Sequence, residues 1–233
     1  MIELNLAHRN KPRKRCIGID IGSQAIKLIG FEERNERLAI RYYGHTPTIR
    51  NTTEEVGLTE HLAYIRCKLG IPFGMDAAIA ISGNECLTKI IEITTTRKEE
   101  ELKDEIPDLV REYVPCDMHD VAFDYTILHK TPTGYVILLS VVQCAVKDFY
   151  SRVVTKAGFR LAVIDVGSIA LINASSMHKL THTNNIQTYV NVGAHTTNIH
   201  MLKDGVTTFM RELSLGGELA NQCIAQNPNC TDI

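Results

Sequence analysis

The sequence predicts an α/β protein made of two halves that share one plan, and three observations predict it. Strand-like apolar runs alternate with amphipathic helical stretches. The order strand, strand, strand, helix occurs near the start and again near the end. Each occurrence opens on an apolar strand that runs into a glycine turn rich in hydroxyls, Asp20-Ile21-Gly22-Ser23 in the first and Asn191-Val192-Gly193-Ala194-His195-Thr196-Thr197 in the second.

In the first half, strands are expected over Cys16–Ile21, Ala25–Glu32 and Leu38–Thr46. Only Gly22-Ser23-Gln24 separates the first two, which makes them a tight hairpin. Leu58, Leu62, Ile65 and Leu69 then keep one helical face apolar, and Gly70 stops that helix as a left-handed cap. A buried strand comes next over Ala77–Ser82. The middle reads as an inserted β-α-β-β-α unit. A strand over Leu87–Thr94 leads to a capping box at Thr96-Arg97-Lys98-Glu99 and a helix with Leu102, Ile106, Leu109 and Tyr113 on one stripe. Pro107 inside that stripe is expected to kink or delay the helix. Strands over Ala122–His129 and Tyr135–Cys144 flank the turn Thr131–Gly134, and a helix carrying Val146, Phe149, Val153 and Ala157 closes the unit. A strand over Leu161–Val166, a helix over Ser168–His178 and a polar linker lead to the second half. Its strands are expected over Thr188–Val192, Asn198–Leu202 and Val206–Leu213. The pair Asp204-Gly205 favours a type I′ hairpin, and Gly216-Gly217 opens the last helix.

Composition narrows the function. With 44% hydrophobic and 22% charged residues the chain has the make-up of an ordinary globular protein, and a formal net charge of −2 offers nucleic acid no global attraction. No run of about 20 apolar residues predicts a membrane span. Met1–Arg15 is polar and basic with no apolar core, so it reads as a disordered tail and not as a secretory signal. The seven cysteines are scattered and form no CxxC pair, which predicts reduced, buried thiols in a cytosolic protein and no zinc site. Asp117, Asp120 and Asp124 lack the spacing of a calcium loop.

The two glycine turns carry the candidate chemistry. A hairpin turn with Gly and Ser or Thr points backbone N–H groups at one anion, with the hydroxyl as a further donor. Asp20, at the end of its strand, could hold hydrated Mg²⁺, and Lys27 could offset phosphate charge. The same residues also fit a plain reading. Asp20 can cap an ordinary hairpin, Lys27 can be a solvated surface lysine, and His195 can be a surface turn residue.

The motifs together resemble a known family. Gly18-Ile19-Asp20-Ile21-Gly22-Ser23 with Ile26-Lys27-Leu28 is similar to the first phosphate motif of the actin-like ATPases, in particular the type IV pilus assembly protein PilM family and its relative FtsA. Tyr113-Val114-Pro115 with Asp124-Tyr125 resembles the inserted subdomain of that family, as does Ala157-Gly158-Phe159 leading to Ile164-Asp165-Val166 and Ala170-Leu171. Asn191–Thr197 with Asp204-Gly205, Arg211 and Gly216-Gly217 resembles the second phosphate motif. The resemblance runs from about Cys16 to Ala225.

It implies an actin-like, ribonuclease-H-type α/β fold. The first lobe would comprise 16–85 and 161–187, the inserted subdomain 86–160, and the start of an incomplete second lobe 188–233, after a disordered tail over 1–15. It implies ATP with Mg²⁺ held by Asp20, Gly22, Ser23, Gln24, Lys27, Gly193, Ala194, His195, Thr196, Gly216 and Gly217, with Asp20 and Asn191 at the metal. The family usually has Asp where Asn191 stands, and its later adenosine-contacting segment has no counterpart here. The expectation is therefore a nucleotide acting as a structural ligand, with no catalytic residue assigned. The implied role is a cytoplasmic adaptor, peripheral at the inner membrane, that grips the N-terminal tail of a PilN-like partner and links the pilus alignment complex to its motor. Self-association is expected from a poorly covered face at Val190, Val192, Ile199 and Met201. The alternatives are a catalytic ATPase or sugar kinase, an FtsA-like division tether and a secretion-system scaffold. A kinase needs an aspartate base in a sugar loop and a tether needs a terminal amphipathic helix; neither is evident in the sequence.

Overall fold

The protein is described by a computed structural model covering residues 3–4, 15–34, 37–48, 55–81, 85–114, 117–177 and 186–226. The chain divides into two units, Met1–Gly167 and Ser168–Ile233.

The first unit is built on a six-stranded mixed sheet. Its strands are β1 (Glu3–Leu4), β2 (Arg15–Ile21), β3 (Ala25–Arg34), β4 (Arg37–Pro47), β5 (Met75–Ile81) and, late in the chain, β9 (Phe159–Val166), in the order β1-β9-β5-β2-β3-β4. β2 pairs antiparallel with β3 and parallel with β5, and β5 pairs parallel with β9. Alternation decides which face is core. Ile17, Ile19, Ala77 and Ile79 are buried, while Asp20 lies on the other face. Two helices cover the core face, α1 (Glu55–Lys68) with Leu58, Leu62 and Ile65, and α3 (Cys144–Lys156) with Tyr150, Val153 and Val154. α1 ends as its sequence requires. Gly70 has φ +64°, its N–H donates to the Cys67 carbonyl, and the Ile71 N–H donates to the Arg66 carbonyl. These two bonds make a Schellman cap.

A three-stranded sheet of β6 (Cys86–Thr94), β8 (Gly134–Gln143) and β7 (Val121–Thr131), in that order, forms a second core in the same unit. β8 is central and buried along nearly its whole length. Ile137, Leu139 and Val141 face the stripe Leu102, Ile106 and Val110, while Val142 joins the core of the larger sheet. Pro107 has the expected effect. A 3-10 turn over Glu99–Asp104 gives way to α2 (Ile106–Tyr113), with the proline in the first turn, where its missing N–H costs nothing. The expected capping box at Thr96–Glu99 does not form: the N-cap is Lys98, whose side chain can accept no hydrogen bond, and only the return half is made, with the Lys98 N–H donating to Glu101 Oε2 at 3.1 Å.

Several expectations need correcting. Glu3–Leu4 is not a frayed tail but a short strand parallel to Val163–Ile164, while residues 5–14 lie outside those described. α3 is expected in the inserted unit, yet Tyr150, Val153 and Val154 pack into the core of the larger sheet, so the inserted sheet ends at Gln143. The described cysteines are free but not buried. Cys67 and Cys223 are exposed, Cys16, Cys86 and Cys144 half-buried; Cys116 and Cys230 lie outside the described residues. Cys144 heads a helix instead of ending a strand.

The second unit contains α4 (Gly167–Met177) from Ser168 onward. Its sheet is antiparallel, made of β10 (Ile186–Val192), β11 (Thr197–Lys203) and β12 (Val206–Leu213), with α5 (Gly217–Ala225) after it. Asp204 and Gly205 have φ of 53° and 79°, both positive as a type I′ turn requires. Leu202, His200 and Thr207 are buried, whereas Val190 and Val192 are exposed. No helix among the described residues is long and apolar enough to cross a membrane.

Candidate functional site

The first glycine turn is closed by its own backbone. The Gly22 N–H donates to the Ala25 carbonyl at 3.1 Å, and a Cβ on Gly22 would stand 2.9 Å from that oxygen, so only glycine fits without a shift. Thr48, just past β4, clamps the turn from the other side. Its hydroxyl donates to the Gly22 carbonyl at 2.7 Å and its N–H to the Gln24 carbonyl at 2.8 Å. Ser23 is exposed at the tip, and its N–H and hydroxyl make no hydrogen bond among the described residues. They are free to meet an anion.

The second turn repeats this closure. The Gly193 N–H donates to the Thr196 carbonyl at 2.8 Å, and a Cβ on Gly193 would lie 3.0 Å from it. Here the clamp is α5. The Gly217 N–H donates to the Gly193 carbonyl and the Glu218 N–H to the Ala194 carbonyl, both at 2.9 Å. Gly216 passes so close that a Cβ would meet both carbonyl oxygens at 2.5 Å. The buried Thr197 hydroxyl ties the turn to the Leu215 carbonyl at 2.7 Å. The glycine pair therefore shapes the turn, and the Gly217 N–H is engaged within the chain. His195 is exposed at the tip.

Asp20 and Lys27 face each other across β2 and β3 as an exposed ion pair of 2.9 Å. Lys27 thus holds the carboxylate that the sequence offers to the metal. Mg²⁺ keeps several waters and takes one or two carboxylates, so a metal here would compete with Lys27 for Asp20. Asn191 is exposed and offers only a neutral carbonyl oxygen. Among the described residues no three acidic, His or Cys side chains gather as a metal cluster.

One acid escapes sequence reasoning as a site residue. The register places Asp20 opposite Ala80 and Ala80 opposite Asp165, so both acids lie in one row on one face, two strands or about 10 Å apart. The row sits at the carboxyl ends of the parallel strands β2, β5 and β9, where open α/β sheets bind ligands. Burial pushes the Asp165 carboxyl up to about 6. The Val166 N–H, which donates to it at 2.7 Å, pulls the other way, and the Asp124 carboxylate adds to the rise.

The residues 18–231 match the model of the type IV pilus assembly protein PilM family, a span that holds both turns and the inserted sheet. The chain belongs to that family. Among solved structures it is similar to the PilM–PilN type IV pilus biogenesis complex, with a TM-score of 0.81 and 17% identity over 94% of this chain and 67% of that one. It is also similar to a Bacteroides thetaiotaomicron protein with an actin-like ATPase fold, with a TM-score of 0.54, 11% identity, and 91% and 75% of the two chains covered. The cytoplasmic domain of EpsL, an inner-membrane component of the Vibrio cholerae type II secretion system, matches with a TM-score of 0.53, 10% identity, and 91% and 76% covered. At such identities these likenesses establish the fold, which is actin-like. The PilM-family chain is thus an α/β protein with the actin-like architecture that its two turns predict.

Proposed function

We propose that this PilM-family protein is a cytoplasmic adaptor of type IV pilus assembly, peripheral at the inner membrane. It binds the N-terminal tail of a PilN-like membrane partner and takes ATP with Mg²⁺ as a structural ligand. The observation that carries this reading is the family match spanning both glycine turns. Two features support it. Each turn is closed by the same glycine N–H and leaves its tip open, at Ser23 and at His195, as a phosphate-binding turn needs. The three-stranded sheet has β6 and β7 as its two edges, and an extended tail can add to such an edge through main-chain hydrogen bonds. Mg²⁺, when bound, would neutralise phosphate oxygens, with Asp20 holding its waters.

The test is fluorescence anisotropy of a labelled peptide from the cytoplasmic tail of the neighbouring pilus membrane protein, titrated with and without Mg-ATP. Saturable binding is expected, tighter or weaker when nucleotide is present. No binding in either condition overturns the adaptor reading.

One observation favours a second reading, turnover of ATP. Asp165 shares its sheet row with Asp20, and its raised affinity for a proton suits a general base near neutral pH. If it acts so, Asp165→Asn removes phosphate release and leaves nucleotide affinity unchanged. Equal release by both proteins rejects that role.

A further inference from the structure

A cavity of about 810 Å³ lies at the tip of the three-stranded sheet, within the first unit, and no residue of either glycine turn lines it. Its floor is the end of β6 and the hairpin that joins β7 to β8, from Lys130 to Tyr135. Its wall is the loop Thr95-Thr96-Arg97 with Glu105. The size falls in the range of small-molecule sites.

The loop is fixed before any ligand arrives. The Thr95 N–H donates to the Thr133 carbonyl at 3.0 Å, and the Thr95 hydroxyl to Glu105 at 2.9 Å. Arg97 pairs with Glu105 at 3.0 Å, and the Tyr135 hydroxyl donates to the Arg97 carbonyl at 3.4 Å. Gly134 lies so near β6 that a Cβ would stand 1.9 Å from the Ile93 carbonyl oxygen, so only glycine fits at this point of the hairpin. Preorganisation of this kind lowers the entropy cost of binding.

The charge and the unused donors point the same way. Arg97 and Lys130 outnumber the single carboxylate, Glu105, which Arg97 already holds. Thr94, Thr96 and Thr133 line the cavity as exposed residues whose hydroxyls make no hydrogen bond among the described residues. Thr131, in the same lining, has a buried Oγ1 with no partner among the described residues. Buried hydroxyls are rarely left so, which makes Thr131 the one buried, unsatisfied side chain of this lining among the described residues.

We propose that this cavity binds a small oxyanion ligand, a molecule carrying a phosphate or carboxylate group. Lys130 supplies the net positive charge, Arg97, steadied by Glu105, a directed guanidinium donor, and the threonine hydroxyls the neutral donors.

The test uses the full ¹⁵N-labelled chain, titrated at constant ionic strength with inorganic phosphate and separately with succinate, and read by amide NMR shifts. Saturable shifts are expected at residues 94–97 and 130–135. Saturation by phosphate alone identifies a phosphate ligand, by succinate alone a carboxylate, and by both the shared chemistry. Arg97→Gln and Lys130→Gln are each expected to weaken binding about tenfold. Both side chains are exposed, so unchanged shifts elsewhere verify the fold. Absence of saturable shifts, shifts confined to the turns at 22–24 or 193–197, or affinities that neither variant changes would overturn the proposal.

Discussion

β2 and β10 each lead into a glycine turn closed by the same backbone hydrogen bond, but their surroundings differ. Along β2, Ile17 and Ile19 are 0% and 2% exposed beneath two helices. Along β10, Ile186, Val190 and Val192 are 65%, 57% and 63% exposed, and α5 has no buried residue. The turn is local chemistry, set by a glycine and the residue three places on. Burial is not local. The same strand-turn-strand can therefore stand on a packed sheet or on an open one, and the two units should answer mutation and pH differently.

Core truncation separates them most. Leu62, fully buried on α1, is expected to cost about 2–5 kcal/mol as Leu62→Ala, because the transfer energy is lost and a cavity is left behind. Leu219 on α5 is 54% exposed, and Leu219→Ala should stay within about 0.5 kcal/mol. Urea denaturation of both variants measures the difference. Comparable losses would mean that α5 is covered in solution, and sedimentation would then show whether a second copy covers it.

The clamps on the turns come next. Gly216→Ala must push against two carbonyl oxygens at 2.5 Å and is expected to cost about 1–3 kcal/mol. Gly22→Ala and Gly193→Ala meet one oxygen each, at 2.9 and 3.0 Å, and should cost less and nearly equally. Unequal losses at those two positions would break the equivalence of the turns.

Acidification should move the units in opposite directions. His200 in the second unit is buried with its Nε2 on Thr207 Oγ1 at 2.8 Å, and burial lowers its pKa to about 4 from an ordinary 6.5. The unfolded chain binds that proton first, so stability falls as pH drops from about 6.5 to 4. Asp165 in the first unit is raised to about 6 from 3.8. There the folded state binds the proton first, so stability is lost as pH rises from about 4 to 6. Asp165→Asn should therefore stabilise the protein at pH 7, and His200→Gln should flatten the acid limb. Melting temperatures across pH 4 to 7 test both signs.

The parts that were legible in the sequence are those set by neighbours along the chain. Gly22, Gly193, Gly70 and the pair Asp204-Gly205 announce their turns because each needs a close approach or a positive φ that few other residues allow. α3 shows where that logic stops. Its apolar stripe says that one face is buried but not against which of two sheets, and it packs on the larger one. Asp165 was opaque for a related reason. Its row with Asp20 depends on parallel pairing through β5, between segments far apart in sequence. Glu3–Leu4 is too short to carry any periodicity. The cavity forms only when a loop, a helix start and a hairpin meet, and each of the three reads alone as solvated surface.

The smallest effect on stability is expected at the pair that most bears on function. Asp20 and Lys27 are 56% and 62% exposed, and an exposed cross-strand pair of this kind is worth at most about 1 kcal/mol. Asp20→Ala should barely shift the urea midpoint. If Asp20 holds the hydrated metal, the same variant should abolish Mg-dependent nucleotide binding measured by calorimetry. Lys27→Met should remove the competing cation and keep the carboxylate, so its dependence on Mg²⁺ should persist. A variant at Asp20 that binds Mg-ATP like the parent would take that residue out of the site. The first turn would then be left as an anion-binding turn with Ser23 at its tip as the donor, and the likeness between the two halves would extend to backbone geometry alone.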